Sequence, residues 1–509
     1  TYLGASWADF DNDGDLDIYL SNYGYSDSDD PYPNKLFQNN GNCNFIDVTI
    51  DVGLGNVGHS SSSSWADYDH DGDLDLHSSN LGELSESRGE AMIESDIFYK
   101  NLLTESGNAT FIDFTSESGE IYGSVFKPRN EDGIAVAGPY SWSPASANHP
   151  SSTMLLWHFY ELYPNAQDTG TGLSHASLFV DLDDDGFEDL FVATDFGKSV
   201  IYRNTGDGGF TQSNSKFNIN EFGTAMGLDA GDVDGDGDID ICQTNFGPNF
   251  LYIQNENFKF TESSETSGLN QGTSARAVSW DCNFIDIDLD GDLDLWFSSG
   301  NINPAMSFSP NSIYLNDGSG TFAEVNINDD LINPMAKTMG SSWCDFDRDG
   351  DLDLITGDSN FGVRYFENNA ADRDGVNWIA IDVEEVIDNN ITLTSVGAKV
   401  DIEFSGGKNV RQIVKIGSGY SGSKDTTIHL GVPLDEKIES ITVIWNDGSV
   451  AYVVDPEMNN YIVIDKSLKS DQLTSNEDYN FPKYIVYPIF FIVLLFSLRW
   501  FLIAKEEMN

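Results

Sequence analysis

Short apolar runs of strand length alternate with polar turns along most of this chain. Ile18-Tyr19-Leu20, Leu190-Phe191-Val192 and Leu295-Trp296-Phe297 are rich in β-branched and aromatic side chains, which suit a pleated, half-buried surface. Hairpins follow. Lys35-Leu36-Phe37-Gln38 leads through Asn40-Gly41 into Asn44-Phe45-Ile46-Asp47-Val48, and Ile313-Tyr314-Leu315 leads through Asn316-Asp317-Gly318 into Thr321-Phe322. Small residues and an aromatic come earlier in each unit, as in Ala5-Ser6-Trp7, Ser63-Ser64-Trp65 and Ser341-Ser342-Trp343. The order predicts four strands per unit, the composition of a propeller blade. Small residues suit an innermost strand, where blades crowd the axis. The aromatics are expected to pack between blades.

Between the small-residue run and the apolar run lies a loop of nine residues, present six times and starting at Asp9, Asp67, Asp181, Asp232, Asp286 and Asp345. Acids recur at positions 1, 3, 5 and 9, and position 6 is always glycine: Gly14, Gly72, Gly186, Gly237, Gly291 and Gly350. First aspartates are 51 to 59 residues apart, except for one gap of 114, close to two periods. Units of this length indicate propeller blades or a similar array.

Alternating aspartates on a tight turn converge several carboxylates on one point, and calcium takes six to eight such oxygens. Glycine at position 6 supplies the sharp turn, with φ expected above zero. By analogy with the first half of an EF-hand loop, side chains at 1, 3 and 5 bind, position 7 offers its carbonyl and position 9 closes the shell. The predicted ligands are Asp9, Asp11, Asp13, Asp15 and Asp17 in the first loop, and Asp67, Asp69, Asp71, Asp73 and Asp75 in the second. The third has Asp181, Asp183, Asp185, Phe187 and Asp189, and the fourth Asp232, Asp234, Asp236, Asp238 and Asp240. Asp286, Asp288, Asp290, Asp292 and Asp294 form the fifth, and Asp345, Asp347, Asp349, Asp351 and Asp353 the sixth. An EF-hand closes with glutamate at position 12. Here position 12 is Leu20, Ser78, Val192, Gln243, Phe297 or Thr356, so the site is a compact loop running into a strand. About six Ca2+ ions are expected, in a structural role.

These residues resemble the FG-GAP/VCBS repeats of the integrin α-subunit propeller over about residues 1–370. The resemblance implies an all-β, seven-bladed propeller with calcium loops joining the first two strands of each blade. Residues 116–172 lack an aspartate loop and carry Tyr140-Ser141-Trp142 and Trp157-His158-Phe159-Tyr160. They are read as a degenerate seventh blade, slightly favoured by length, or as an insertion presenting aromatics for recognition.

From about 377 to 465 the acidic loops stop and alternating strands such as Lys399-Val400-Asp401-Ile402-Glu403-Phe404 take over. Val396-Gly397-Ala398-Lys399-Val400, Gly417-Ser418-Gly419-Tyr420, Ile428-His429-Leu430-Gly431 and the turn Trp445-Asn446-Asp447-Gly448 resemble the ASPIC/UnbV domain of the cartilage acidic protein family. Where that family has an Asn-Arg-Asp-Gly run, this chain has Asn389-Asn390-Ile391-Thr392. The resemblance carries no assigned catalytic activity. Residues 466–482 read as a polar linker. The 21 residues from Tyr484 to Ala504 are almost wholly apolar, with Arg499 the one charge, and at ~1.5 Å per residue match a hydrocarbon core of about 30 Å. A C-terminal single-pass membrane anchor is expected, with the propeller outside.

Net charge is −59, and the loops hold fewer than half of the 84 acids, so the remainder is acidic too. Nucleic acid is an improbable partner. Four cysteines make no disulfide framework, and a Cys282–Cys344 bridge between neighbouring units is left open. No initiator methionine or export signal precedes Thr1, which suggests a fragment or processed form. His70 sits inside a loop and is expected to be solvated, while His158 and His429 read as packing residues. No zinc spacing, phosphate loop or Ser-His-Asp signature stands out. The expectation is a cell-surface calcium-binding scaffold for adhesion or recognition of an extracellular protein or glycan, not an enzyme. The alternative is an extracellular polysaccharide-active hydrolase or lyase, recognisable by two acids outside the loops facing a cleft.

Overall fold

The computed structural model describes residues 2–23, 33–55, 58–118, 173–269, 277–300, 310–325, 330–387 and 391–467, apart from short breaks inside those ranges. Five antiparallel four-stranded sheets and one of three strands repeat along residues 2–366. In the first, Tyr2–Ala8, Asp17–Asn22, Lys35–Asn39 and Phe45–Asp47 pair in chain order. The sixth has three strands, Thr338–Cys344, Asp353–Asp358 and Gly362–Phe366. Each aspartate loop joins a first strand to a second, as the hydrophobic pattern predicts.

First strands pack against first strands of the next sheet. Gly4 lies so close to the second sheet that an added Cβ would come within 2.6 Å of the Ser61 carbonyl; Gly227 stands likewise 2.6 Å from the Trp280 carbonyl. This crowding explains the small residues of Ser60–Ala66, a strand buried throughout. In all six sheets the register between first and second strands slips within the first few residues, as between Ser60 and Ser62 or Ser279 and Asp281. A bulge of this kind bends a strand and adds local twist. The preceding aromatics do pack between sheets: Trp65 Nε1 donates to Ser6 Oγ at 2.8 Å, and Trp343 meets Trp296 edge-on at 5.8 Å.

A repeated amide also links neighbours. At or just past the end of the third strand in the second to sixth sheets, an Asn or Gln side chain donates to the carbonyl at loop position 2 of the sheet before. Asn101 reaches Phe10, Asn204 reaches Tyr68, Gln254 reaches Leu182, Asn316 reaches Val233 and Asn368 reaches Ile287, at 2.7 to 2.9 Å.

This series decides part of the question about residues 116–172. The second and third sheets are immediate neighbours: Ser61 Oγ donates to the Ser174 and His175 carbonyls at 2.9 and 2.8 Å, and Ser64 Oγ meets Ser177 Oγ at 2.8 Å. The described strands of these two sheets meet with no blade between them. Residues 119–172 themselves, with His158, lie outside the described residues. So does the apolar segment 484–504; among the described residues no helix is long and apolar enough to cross a membrane.

Cysteine pairing also departs from the open expectation. Cys242 and Cys282 form the disulfide, with Cα atoms 6.5 Å apart, and Cys344 is buried outside any bridge. Cys282 is on a first strand, which faces the second strand of the preceding sheet, where Cys242 sits.

The C-terminal unit is two four-stranded sheets around an aliphatic core that includes Ile379, Val400, Leu430, Ile441 and Ile464. Asn377–Val386 is central to one sheet, antiparallel to Ile428–Val432 and parallel to Asn460–Asp465. The other orders Asn409–Ile413, Lys399–Phe404, Ile438–Ile444 and Val450–Val454.

Candidate metal centres

All six loops share one backbone. Position 6 has φ between 87° and 103°, as glycine there predicts. Position 4 is also left-handed, which the sequence does not announce: Asn12, His70, Asp184, Gly235, Leu289 and Arg348 have φ from 54° to 73°. Asparagine and aspartate tolerate this region, whereas leucine and arginine rarely enter it. The loop imposes the conformation.

Position 1 fixes the turn. Asp9 takes the Asp13 and Gly14 N–H groups at 3.0 and 2.9 Å, and Asp67 takes those of Asp71 and Gly72 at 3.0 Å each. Position 9 ties the loop to its sheet. Asp17 accepts the Phe10 N–H at 3.2 Å and the Asn39 N–H at 2.7 Å, and Asp189, Asp240, Asp294 and Asp353 repeat the pair. Its closing role is therefore partly a backbone staple.

Position 3 is different. Oδ1 of Asp11, Asp69, Asp183, Asp234 and Asp288 is buried and accepts no hydrogen bond. One orphan would be unremarkable, but the same atom in five loops points to a shared partner outside the chain. Carboxylate oxygens of positions 1, 3 and 5 lie within 4.8 Å of one another in the first three loops, and those of Asp232, Asp234 and Asp240 do so in the fourth. An all-oxygen donor set of this kind fits calcium.

Electrostatics agree with that fit. Burial, helped by neighbouring like charges, pushes Asp9, Asp67, Asp232 and Asp286 up to about 7, and Asp17 and Asp294 to about 9. A nearby cation would favour the ionised form of such carboxylates. Basic side chains supply some of that charge, since Lys100 reaches Asp69 and Asp71, and Arg203 reaches Asp183 and Asp185. His70 is not solvated. Its ring stacks on Phe187 at 4.4 Å and faces Glu188 at 3.6 Å, which joins the second loop to the third.

The C-terminal unit sits on this loop face. Lys399 Nζ lies 2.7 Å from Asp181, the Arg411 N–H donates to Asp232 at 3.1 Å, the Gly431 N–H donates to Asp286 at 2.7 Å and the Tyr461 hydroxyl donates to Asp345 at 2.6 Å. Four successive position-1 aspartates are thus held from above. Asn446 adds a bond to Glu188 at 2.6 Å, and Ile391 and Thr392 lie beside Gly14. Every stretch that carried the ASPIC/UnbV resemblance contributes a contact with the repeated sheets.

One of those stretches enters the array itself. Ile416 bridges to Trp65, Gly417 packs on Ser63 and Ser64, and the Gly419 N–H donates to the Leu228 carbonyl at 2.7 Å. Tyr420 is buried against Trp280 and His175 at 5.0 and 5.4 Å. Lys415 and Lys424 both pair with the buried Asp229. These partners belong to first strands of four consecutive sheets, so Lys415, Ile416, Gly417, Gly419, Tyr420 and Lys424 together touch all four.

A family model for the FG-GAP-like repeat matches residues 9–78, 181–243, 232–297 and 286–356, and one for the ASPIC and UnbV domain matches 391–471. The chain is an FG-GAP-repeat protein with a C-terminal ASPIC and UnbV domain. Its family is that of the cartilage acidic proteins. Human cartilage acidic protein 1 is 27% identical over 290 residues, 54% of this chain and 42% of the human one. The Xenopus tropicalis protein is 24% identical over 300 residues, 57% of this chain and 44% of its own. The chain spans less than half the length of these curated relatives. An Agrocybe aegerita lectin that recognises non-reducing terminal N-acetylglucosamine aligns over 72% of this chain and 81% of its own, at 17% identity and a TM-score of 0.38, a likeness too low to carry an argument.

Proposed function

We propose that this chain is an extracellular, calcium-stabilised recognition scaffold, in which about six Ca2+ ions fix the loops of a seven-bladed ring. The observation that carries the reading is the recurrence of a buried, unpartnered position-3 oxygen in five loops. Bound calcium would supply fixed positive charge to carboxylates that burial otherwise drives toward protonation. Asp, Phe187 carbonyl and position-9 donors hold it as assigned above. The apolar segment 484–504 would anchor the chain to a membrane, and an extracellular protein or glycan would be the partner.

The polysaccharide-active alternative needs paired acids in an open cleft. Among the described residues, Asp229 and Asp281, first-strand acids outside the loops, are buried and bonded to Lys424 and Ser341 respectively. That arrangement favours a scaffold. Arraying the chain against immobilised glycans and matrix proteins, with and without calcium, tests the proposal. Calcium-dependent retention supports it; release of reducing sugar from a polysaccharide panel would replace it with the enzyme reading.

A further inference from the structure

Buried polar atoms without partners gather where the sixth sheet meets the C-terminal unit. Strand register places its parts. Ala380 pairs with His429 on one side and with Tyr461 on the other, and Asp382 follows two residues along. Residues two apart share a face of a sheet, so His429, Asp382 and Tyr461 stand together. Tyr461 points that face at the sixth loop through its bond to Asp345. Next to Asp345 is Cys344, whose thiol lies 3.2 Å from Asp425 Oδ2. Thr427 Oγ1 bonds both Asp425 and Asp382, at 3.0 and 2.7 Å.

Three polar atoms here have no hydrogen-bond partner. Both ring nitrogens of His429 are buried without a hydrogen-bond partner, and so is Asp382 Oδ2. His429 is 7% exposed, and its ring stands edge-on to Tyr461 at 5.6 Å, within electrostatic reach of Asp425 and Asp345. Burial lowers the affinity of the imidazole for a proton, and neutral imidazole is the form that ligates metals. A water could serve one such atom. Beside that imidazole, the Cys344 thiol is bonded to Asp425, and Thr427 links Asp425 to Asp382.

We propose that Cys344, His429 and Asp425 bind a zinc-class cation at this junction, with Asp382 orienting Asp425 through Thr427. The donor set separates it from the acidic loops. Calcium takes oxygen ligands alone, whereas sulfur, nitrogen and carboxylate together suit zinc. Binding releases the Cys344 proton to solvent, since thiolate is the ligand form. The ion would clamp the C-terminal unit to the sixth sheet, independently of the loops.

Calcium-saturated full chain, titrated with ZnCl2 against a chromophoric chelator, tests this, with CoCl2 as the spectroscopic probe. One tight equivalent is expected, and cobalt should show a near-ultraviolet thiolate charge-transfer band. Cys344→Ser should abolish that band. His429→Gln should weaken zinc by upwards of roughly 10-fold, the least that even outer-shell partners of a ligand are worth. Calcium stoichiometry, unchanged in both variants, reports that they fold. A cobalt spectrum without the sulfur band, or zinc binding equal in wild type and Cys344→Ser, overturns the proposal. It does so without touching the calcium reading.

Discussion

Lys399 Nζ lies 2.7 Å from Asp181 Oδ2, across 218 residues of sequence. Asp181 also takes the Asp185 and Gly186 N–H groups of its own loop, at 3.2 and 2.8 Å. One carboxylate therefore shapes an aspartate loop and receives the second domain. Asp232, Asp286 and Asp345 do the same with Arg411, Gly431 and Tyr461. Loop order and domain docking are one equilibrium, because anything that disorders the loops removes the docking acceptors.

Calcium removal is thus expected to do two things. A ligand bound only by the native state stabilises it, so chelation should lower the melting temperature markedly. It should also raise amide exchange at Arg411 and Gly431, whose N–H groups bond loop aspartates. Hydrogen-exchange mass spectrometry reads both sites. Unchanged melting and unchanged protection on chelation would defeat the structural role of calcium.

Replacing Asp181 and Asp185 with alanine should remove about one calcium ion per chain, measured by elemental analysis after gel filtration. Asp181 supplies the turn acceptors and Asp185 accepts the Phe187 N–H at 3.1 Å, so the third loop loses its shape together with its charge. Equal stoichiometry in variant and parent would refute the ligand assignment.

Much of the architecture is legible because it is local. Acids at fixed spacing and glycine at position 6 announce the loops, and turns such as Asn40-Gly41 announce the hairpins. What stays hidden is imposed from afar. Leu289 and Arg348 have no preference for the left-handed region, yet the shared loop holds them there. Arg411 meets Asp232 from 179 positions away through a backbone N–H, which leaves no side-chain signature. The family-like stretches could be recognised but not assigned a task, since a Gly-Ser-Gly-Tyr run reads as a turn until its first-strand partners are known. That the second and third sheets touch directly could not be read from the 114-residue gap between their loops, since length carries no information about neighbours.

The charge cluster around Asp229 gives a sharp stability test. Asp229 is fully buried and bonded by Lys415, Lys424 and the Phe284 N–H. Removing one partner of a buried ion pair strands the others, at a cost of about 3–5 kcal/mol. Asp229→Ala should therefore destabilise strongly in urea unfolding. Adding Lys415→Met and Lys424→Met should restore most of the loss, because apolar replacement of a whole buried cluster is often close to neutral. No recovery in the triple variant would mean that the lysines act through contacts other than Asp229.

Gly350 should be the least replaceable of the loop glycines. Its φ is 103°, and an added Cβ would overlap the Trp378 ring of the C-terminal unit. Gly448 has φ 79° and open space around it. Gly448→Ala should cost only the left-handed strain, about 1–2 kcal/mol. Gly350→Ala should cost clearly more in urea unfolding and should also expose Trp378, seen as a red shift in tryptophan emission. Equal costs for the two would show that Trp378 does not rest on the loop.

The loop carboxylates set the pH response, with opposite signs for the two metal states. In the calcium-free chain, burial raises Asp9, Asp67, Asp232 and Asp286 to about 7 and Asp17 and Asp294 to about 9. A carboxyl whose folded value exceeds its unfolded value holds more protons when folded. Stability is then greatest at low pH and is lost as pH rises through the folded values. The metal-free chain should melt at a higher temperature near about pH 5 than near about pH 8. Calcium reverses this, since ionised carboxylates are the bound form and protons compete with the metal. Loaded protein should melt highest at neutral to mildly alkaline pH and lose stability on acidification. Calorimetry of both forms across that range checks the crossing, and two curves of the same slope would show that the loop acids do not govern it.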